Sequence, residues 1–359
     1  MTGSCYVIKY VDIKHKHKCI EKHNIKPEKV LVKNLVSDLT GVGNFTDPNL
    51  INSWGITIMN NVIWVADNGT GKVTTYNLNG SIYPIVVSVN NNTGVALAPS
   101  GIVHNKTTGF VITNGTIRAP ALWLVATENG LINAYNPLVN STASLVVVDN
   151  SATGAVYKGI TIANGYLYAT DFHNNKIDVF DSNFNPVTTF PFVDPSTINP
   201  LPAGFAPFNI RNIKGLLYVT YALQKPPANH DDQAGLGNGF INIFNPDGTF
   251  VERLVSQGAL NSPWGIILAP ESLNLADGTI LVGNFGDGYI NIYASDGTYL
   301  GRLKDCIDND VNINGLWGLA INDPDEFYGR NAIYFTAGPN SKNDGLLGKL
   351  ISKCNECCY

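Results

Sequence analysis

The chain has 359 residues, a formal net charge of -5 and only 14% charged residues, against about 25% in an average globular chain. Its mild acidity argues against nucleic acid as the main partner, which needs a basic face, and no stretch reaches the roughly 18–20 apolar residues of a membrane helix. Hydrophobic residues make up 44%, and 35 Gly and 19 Pro supply many turns, a composition that points to an all-β protein.

Residues 1–28 read as an extension carrying Cys5, Cys19, His15, His17 and His23. The basic run Lys14 to Lys18 is too short to serve as a nucleic-acid site. Met1 to Ile20 lacks the apolar run of about 7–15 residues that marks a secretory signal. The expectation is that the protein either stays where it is made or reaches a surface by another route, such as assembly into a virion. Next comes an isolated strand, Val30 to Val36.

A phrase then recurs. It opens on a small cluster ending in Trp-Gly or its equivalent, continues with a strand rich in Tyr, Val and Thr, turns on Gly or Asn, and ends on Ile-Asn-x-Tyr/Phe. The first copy holds Asn52-Ser53-Trp54-Gly55, Ile63 to Asp67 and Lys72 to Asn77. The second holds Pro99-Ser100-Gly101, Leu122 to Ala126 and Leu131 to Asn136. The third holds Lys158-Gly159-Ile160, Tyr166 to Thr170 and Ile177 to Asp181. The fourth holds Pro207-Phe208-Asn209, Leu217 to Thr220 and Phe240 to Phe244. The fifth holds Pro263-Trp264-Gly265, Thr279 to Gly283 and Tyr289 to Tyr293. The sixth holds Leu316-Trp317-Gly318, Ala332 to Thr336 and Leu346 to Leu350.

Six copies at roughly 50-residue spacing match the blades of a propeller. A β-sandwich would not repeat one phrase six times, and a solenoid would repeat at a shorter period. Fourth strands fall between copies, as at Ile85 to Val87, Leu145 to Val147 and Val251 to Leu254. The sixth copy lacks one. The fold expected is an all-β, six-bladed β-propeller of four-stranded blades over residues 29–350. Its ring is closed by the N-terminal strand completing the last blade, which hides the open edges. Residues 351–359 form a Cys-rich tail.

The phrases His230 to Phe240, Ser262-Pro263-Trp264-Gly265, Leu281 to Gly288, Asn314 to Gly318 and Tyr334 to Asn340 resemble an uncharacterised family of bacterial-type six-bladed propellers with NHL-like architecture. The resemblance covers about residues 29–350. It implies the fold and no reaction. The chain departs from that family in lacking a signal peptide and in carrying cysteine-bearing ends. With its Asn- and Ile-rich composition it looks like a copy that a large DNA virus or an AT-rich microbe would carry.

Propellers place ligands in or over the central channel, which the first strand of each blade lines. The lining is expected near Asn52, Ser100, Lys158, Asn209, Asn261 and Asn314, a neutral and amide-rich surface with no ring of His. The long insert Lys225 to Gly239 in the fourth copy brings His230, Asp231 and Asp232 together. Its two carboxylates suit a hard cation, Ca²⁺ or another divalent ion, although Asp and His also serve to close turns. No cofactor is otherwise called for. Trp54, Trp264 and Trp317 occupy equivalent places and read either as packing between blades or as an aromatic cage. Of six Cys, five lie at the ends: Cys5, Cys19, Cys354, Cys357 and Cys358. They suit disulfides or crosslinks, a weak zinc site or free thiols. Asn-x-Ser/Thr triplets occur at Asn44, Asn68, Asn79, Asn91, Asn105, Asn114 and Asn140.

Two functions remain open from sequence. One is a structural or interaction propeller that associates with itself or another structural protein through its terminal cysteines. The other is a metal-assisted hydrolase, lactonase or lyase at the channel mouth, or a carbohydrate- or protein-binding module there.

Overall fold

The computed structural model describes residues 27–322 and 332–352. The six repeats form six small antiparallel sheets, and these are the blades of a β-propeller. Blade one runs outward from the axis as Ser53–Met59, Val62–Asp67, Lys72–Asn77 and Ile82–Ser88. Blade two is Pro99–His104, Trp123–Thr127, Leu131–Tyr135 and Leu145–Asp149. A small extra hairpin, Val111–Thr113 with Arg118–Pro120, leaves blade two between its first two strands.

Blade three has Tyr157–Ala163, Tyr166–Asp171 and Lys176–Phe180. Its fourth place is held by a short segment in which Pro186 bridges Phe180 and the Val187 amide bonds Val179. Pro186 cannot donate to a ladder, so a regular strand does not extend there. Blade four is Phe205–Ile213, Leu216–Leu223, Phe240–Phe244 and Phe250–Ser256. Blade five is Pro263–Leu268, Ile280–Asn284, Ile290–Tyr293 and Tyr299–Arg302.

Blade six is Leu316–Ile321, Ala332–Ala337 and Leu346–Ile351, completed by the N-terminal strand Leu31–Ser37. The closing pairs run from Leu31 opposite Ile351 to Ser37 opposite Leu346. The seal is as expected, shifted by one residue from Val30–Val36. It converts two open sheet edges into one hydrogen-bonded blade.

The core is a ring of wedges between blades rather than one central mass. Leu124 and Ile132 of blade two pack with Tyr157, Ile160 and Leu167 of blade three. Leu35 and Val36 of the closing strand pack with Ile56 and Ile63 of blade one. This explains the sequence pattern. Second strands such as Val62–Asp67 are covered on both faces and read as continuous apolar runs, whereas the outer strand Ile82–Ser88 alternates.

Each first strand carries one extra residue relative to its partner, at the same height in all six blades. The pairing slips between Ser53 and Ile56, Pro99 and Ile102, Tyr157 and Ile160, Pro207 and Asn209, Pro263 and Gly265, and Leu316 and Leu319. Such bulges re-aim a side chain. In five of the six a glycine at this point lets neighbouring first strands approach, and blade four has Asn209 instead. A Cβ on Gly55 would lie 2.4 Å from the Ser100 carbonyl oxygen, and one on Gly318 would lie 2.6 Å from that of Trp54. Only glycine permits this contact.

The Asn-x-Ser/Thr triplets have a local structural use. The side chains of Asn79, Asn91, Asn105, Asn114 and Asn140 each accept the amide two residues on. At four of them the Ser or Thr hydroxyl bonds the same oxygen. They are Asx turns at strand connections.

Candidate functional site

The bulge column consists of Trp54, Ser100, Lys158, Phe208, Trp264 and Trp317. The Trp54 and Trp317 rings stack at 3.6 Å, and Trp264 meets them edge-on at 6.2 and 5.9 Å. Phe208 of blade four reaches Trp317 of blade six at 6.1 Å, and Phe285 stacks on Trp317 at 3.7 Å. Contacts between blades that are not neighbours mean that these rings fill the axis. The tryptophans are buried and pack on one another, so they form a plug rather than an open cage. Beneath it the channel narrows to a cavity of ≈ 20 Å³, room for about one water.

Lys158 is the one charged residue in the column. Its side chain is 1% exposed, its Nζ stands 5.0 Å from the Trp54 ring centroid, and it pairs with Glu128 Oε1. Glu128 sits in the turn after the second strand of blade two and also accepts Asn68 Nδ2 at 2.8 Å. Burial opposes ionisation of Glu128. The Lys158 ammonium, the Asn68 amide and nearby His230 outweigh it and hold the carboxyl below its ordinary pKa.

The insert of blade four, residues 224–239, lies across this mouth. It is tied to blade three by Gln224 Nε2 donating to the Phe172 carbonyl at 2.5 Å and by His173 Nδ1 at 2.9 Å from the Ala228 carbonyl. The Gly235 amide donates to Asn261 Oδ1 of blade five at 2.7 Å. His230 Nδ1 lies 3.9 Å from Glu128 Oε1 of blade two and 3.8 Å from Asp231 Oδ1. Lys342 of blade six donates to Asp231 Oδ1 at 3.1 Å, and its Nζ stands 5.3 Å from the Phe285 centroid. His230, Lys342 and Lys158 hold the Asp231 carboxyl well below its usual range against partial burial. Burial raises that of Asp232.

The structure thus brings His230 and Asp231 to the mouth with Lys158. Donor atoms of Glu128, His230 and Asp231 lie within 4.8 Å of one another. Asp232 is not in that group. Among the other expected lining residues, Asn209 lines the narrow cavity and its Nδ2 donates to the Trp264 carbonyl at 2.7 Å. Ser100 Oγ turns to the Tyr157 carbonyl at 2.7 Å. Asn52, Asn261 and Asn314 stand just before their strands. Asn52 accepts the Trp317 indole N–H at 3.2 Å, Asn261 Nδ2 donates to Asp287 at 3.2 Å, and Asn314 accepts the Asn340 amide at 3.3 Å. Cys5, Cys19, Cys354, Cys357 and Cys358 lie outside the described residues.

Sequence reasoning missed Glu128 and Lys342. Thr127-Glu128-Asn129-Gly130 reads as an ordinary hairpin turn. Lys342 sits in a loop whose partner, Asp231, is 111 positions away. Aligning the residue at each bulge would have isolated Lys158 as the charged exception in a largely aromatic column.

The fold and this mouth define a six-bladed β-propeller with a plugged channel and a charged loop face. The chain belongs to a family of uncharacterised mimivirus proteins. It is 41% identical over 318 residues to uncharacterized protein R648 of Acanthamoeba polyphaga mimivirus, covering 88% of this chain and 78% of that protein. It is 39% identical over 322 residues to uncharacterized protein L690 of the same virus, covering 89% and 85%. The expected likeness to a large-DNA-virus copy agrees with these relatives. No protein-family profile matches the chain. Among solved structures it is similar to a streptogramin B lyase, with TM-score 0.52, 11% identity and coverage of 90% of this chain and 97% of that one. It is also similar to the calcium-binding protein regucalcin from Agrobacterium tumefaciens, with TM-score 0.52, 12% identity and coverage of 84% and 90%. At these identities the likeness is one of fold. No helix among the described residues is long and apolar enough to cross a membrane.

Proposed function

We propose that this propeller binds a small polar molecule at the loop-face mouth of its channel. In this reading Lys158, Glu128 and His230 hold the ligand's polar group, and the rim of the aromatic plug forms the wall. The observation that carries the reading is Lys158. Four of the five other blades place an aromatic ring at its position, so the architecture does not call for a cation there. Burying an ammonium is costly even when it is paired. A charge the fold does not need, beside partners with perturbed ionisation, is a mark of ligand binding.

His230 stands between two carboxylates at the same mouth. Such an imidazole suits proton transfer to or from a bound molecule, the step that a hydrolase, lactonase or lyase needs. A second reading is favoured by the mutual distances of Glu128, His230 and Asp231: a divalent cation held by those three groups. Two carboxylates and an imidazole suit Mn²⁺ or Zn²⁺ better than Ca²⁺, which prefers oxygen alone. Two ammonium groups already neutralise the two carboxylates, which weakens the attraction for a cation. Assembly through the terminal cysteines would rest on residues outside those described.

Thermal-shift titration against a panel of small polar metabolites tests the first reading, using wild type and the double variant Lys158→Met/Glu128→Leu. Compounds that raise Tm in wild type should leave the double variant unmoved. Equal shifts in both, or none in wild type, would sink it. Metal analysis of protein loaded with Mn²⁺ or Zn²⁺ tests the second. A stoichiometric ion lost in His230→Ala supports that reading, and failure to retain an ion removes it.

A further inference from the structure

At the far end of the channel, where the first strands leave the axis, a second cavity of ≈ 420 Å³ opens. Small-molecule sites begin at about 300 Å³. Arg211, in the first strand of blade four, lines both this cavity and the narrow one beneath the plug. It stands three residues after Phe208 of the bulge column. The same step in blades one and three gives Thr57 and Thr161, which line the cavity beside it.

The Arg211 guanidinium makes no hydrogen bond and no ion pair with any described residue. Two other arginines of the blades are paired: Arg253 with Asp194, and Arg302 with Asp310. Burial pulls the Arg211 pKa below its ordinary value, with no partner to offset it. A partly buried guanidinium carries five donors in a fixed fork and cannot shed its charge. Among the described residues that line this cavity, none is a carboxylate. The cavity thus has threonines at its edge and an unanswered guanidinium fork at its inner end.

We propose that this second mouth binds a small anion, a carboxylate or a phosphate, through Arg211. A planar guanidinium meets either group with two parallel hydrogen bonds. The Thr57 and Thr161 side chains line the cavity beside it. The proposal is independent of the loop-face site, since it involves the opposite end of the channel and different residues.

The test uses sodium phosphate and sodium malonate, each against NaCl at matched ionic strength. Calorimetric titration of the wild-type chain should show binding of at least one of the two, and Arg211→Met should lose roughly tenfold or more in affinity. A response to phosphate alone or malonate alone names the anion class. Without anion, Arg211→Met should melt at the same temperature as wild type or higher, because the change removes an unpaired cation. Phenylglyoxal modification of wild type supplies a readout that needs no variant: the bound anion should slow reaction at Arg211 and leave exposed Arg118 unchanged. Binding no stronger than chloride, equal affinity in Arg211→Met, or an unprotected Arg211 would each overturn the proposal.

Discussion

The Lys158 ammonium of blade three stands 5.0 Å from the Trp54 ring centroid of blade one, across the propeller axis. The two side chains occupy equivalent bulges, so one structural device delivers an aromatic plug from one blade and a buried charge from another.

The Lys158–Glu128 pair should behave as a buried ion pair. Lys158→Met leaves the Glu128 carboxylate buried without its cation, at a cost of about 3–5 kcal/mol. Adding Glu128→Leu should recover most of that loss, because a well-packed apolar pair often matches a buried ionic one. Chemical denaturation of the two single variants and the double gives the coupling. Additive losses would contradict the pairing.

Asp67 is fully buried between Ser53 Oγ at 2.8 Å and Thr74 Oγ1 at 2.7 Å. Burial raises its pKa well above the usual carboxylate value. The folded chain then holds a proton that the unfolded chain gives up near pH 4. Stability from this group is present at low pH and declines as pH rises from there toward the raised folded value. Asp67→Asn should flatten that decline and equal or exceed wild type at pH 7. A variant that melts lower than wild type at pH 7 would refute the assignment.

Close approach of first strands should make the bulge glycines intolerant of a methyl group. Gly318→Ala places a Cβ 2.6 Å from the Trp54 carbonyl oxygen, and forced repacking costs about 1–3 kcal/mol. Gly165→Ala, whose Cβ would meet nothing within 4 Å, is the control for open space. Its φ of +78° still adds backbone strain. A Gly318→Ala chain as stable as wild type would mean that the ring is looser than described.

The loop over the mouth is held by contacts at its surface. Asp231 is 51% exposed and Lys342 33%, so Asp231→Asn should change global stability by less than about 1 kcal/mol. Hydrogen exchange in residues 225–239 should nevertheless quicken. The folded Asp231 pKa is depressed, so the tether contributes above the ordinary carboxylate pKa and fades only as the pH falls below it. Unchanged exchange in Asp231→Asn would show that the ion pair does not hold the loop.

The blades were legible because their signal is local. Runs such as Ile63-Trp64-Val65-Ala66 and the recurrent Ile-Asn-x-Tyr ending repeat at a fixed period, and a spare strand at the start matches a missing strand at the end. Blade three is harder to read, since Pro186 and Pro191 break the strand that the repeat calls for. The site was only half legible. His230 and Asp231 stand out because they sit in a long insert. Glu128, Lys342 and Arg211 gain their meaning from ring closure and from the register of the bulges. Neither can be seen until the six first strands are laid side by side.

The most direct measurement is hydrogen exchange of the full chain with and without a compound that raises its Tm. A ligand at the loop-face mouth should slow exchange at residues 225–239 and in the 128–130 turn, with the outer strands unchanged. Protection confined to other regions, with the blade-four loop exchanging as before, would contradict a ligand site at the loop-face mouth.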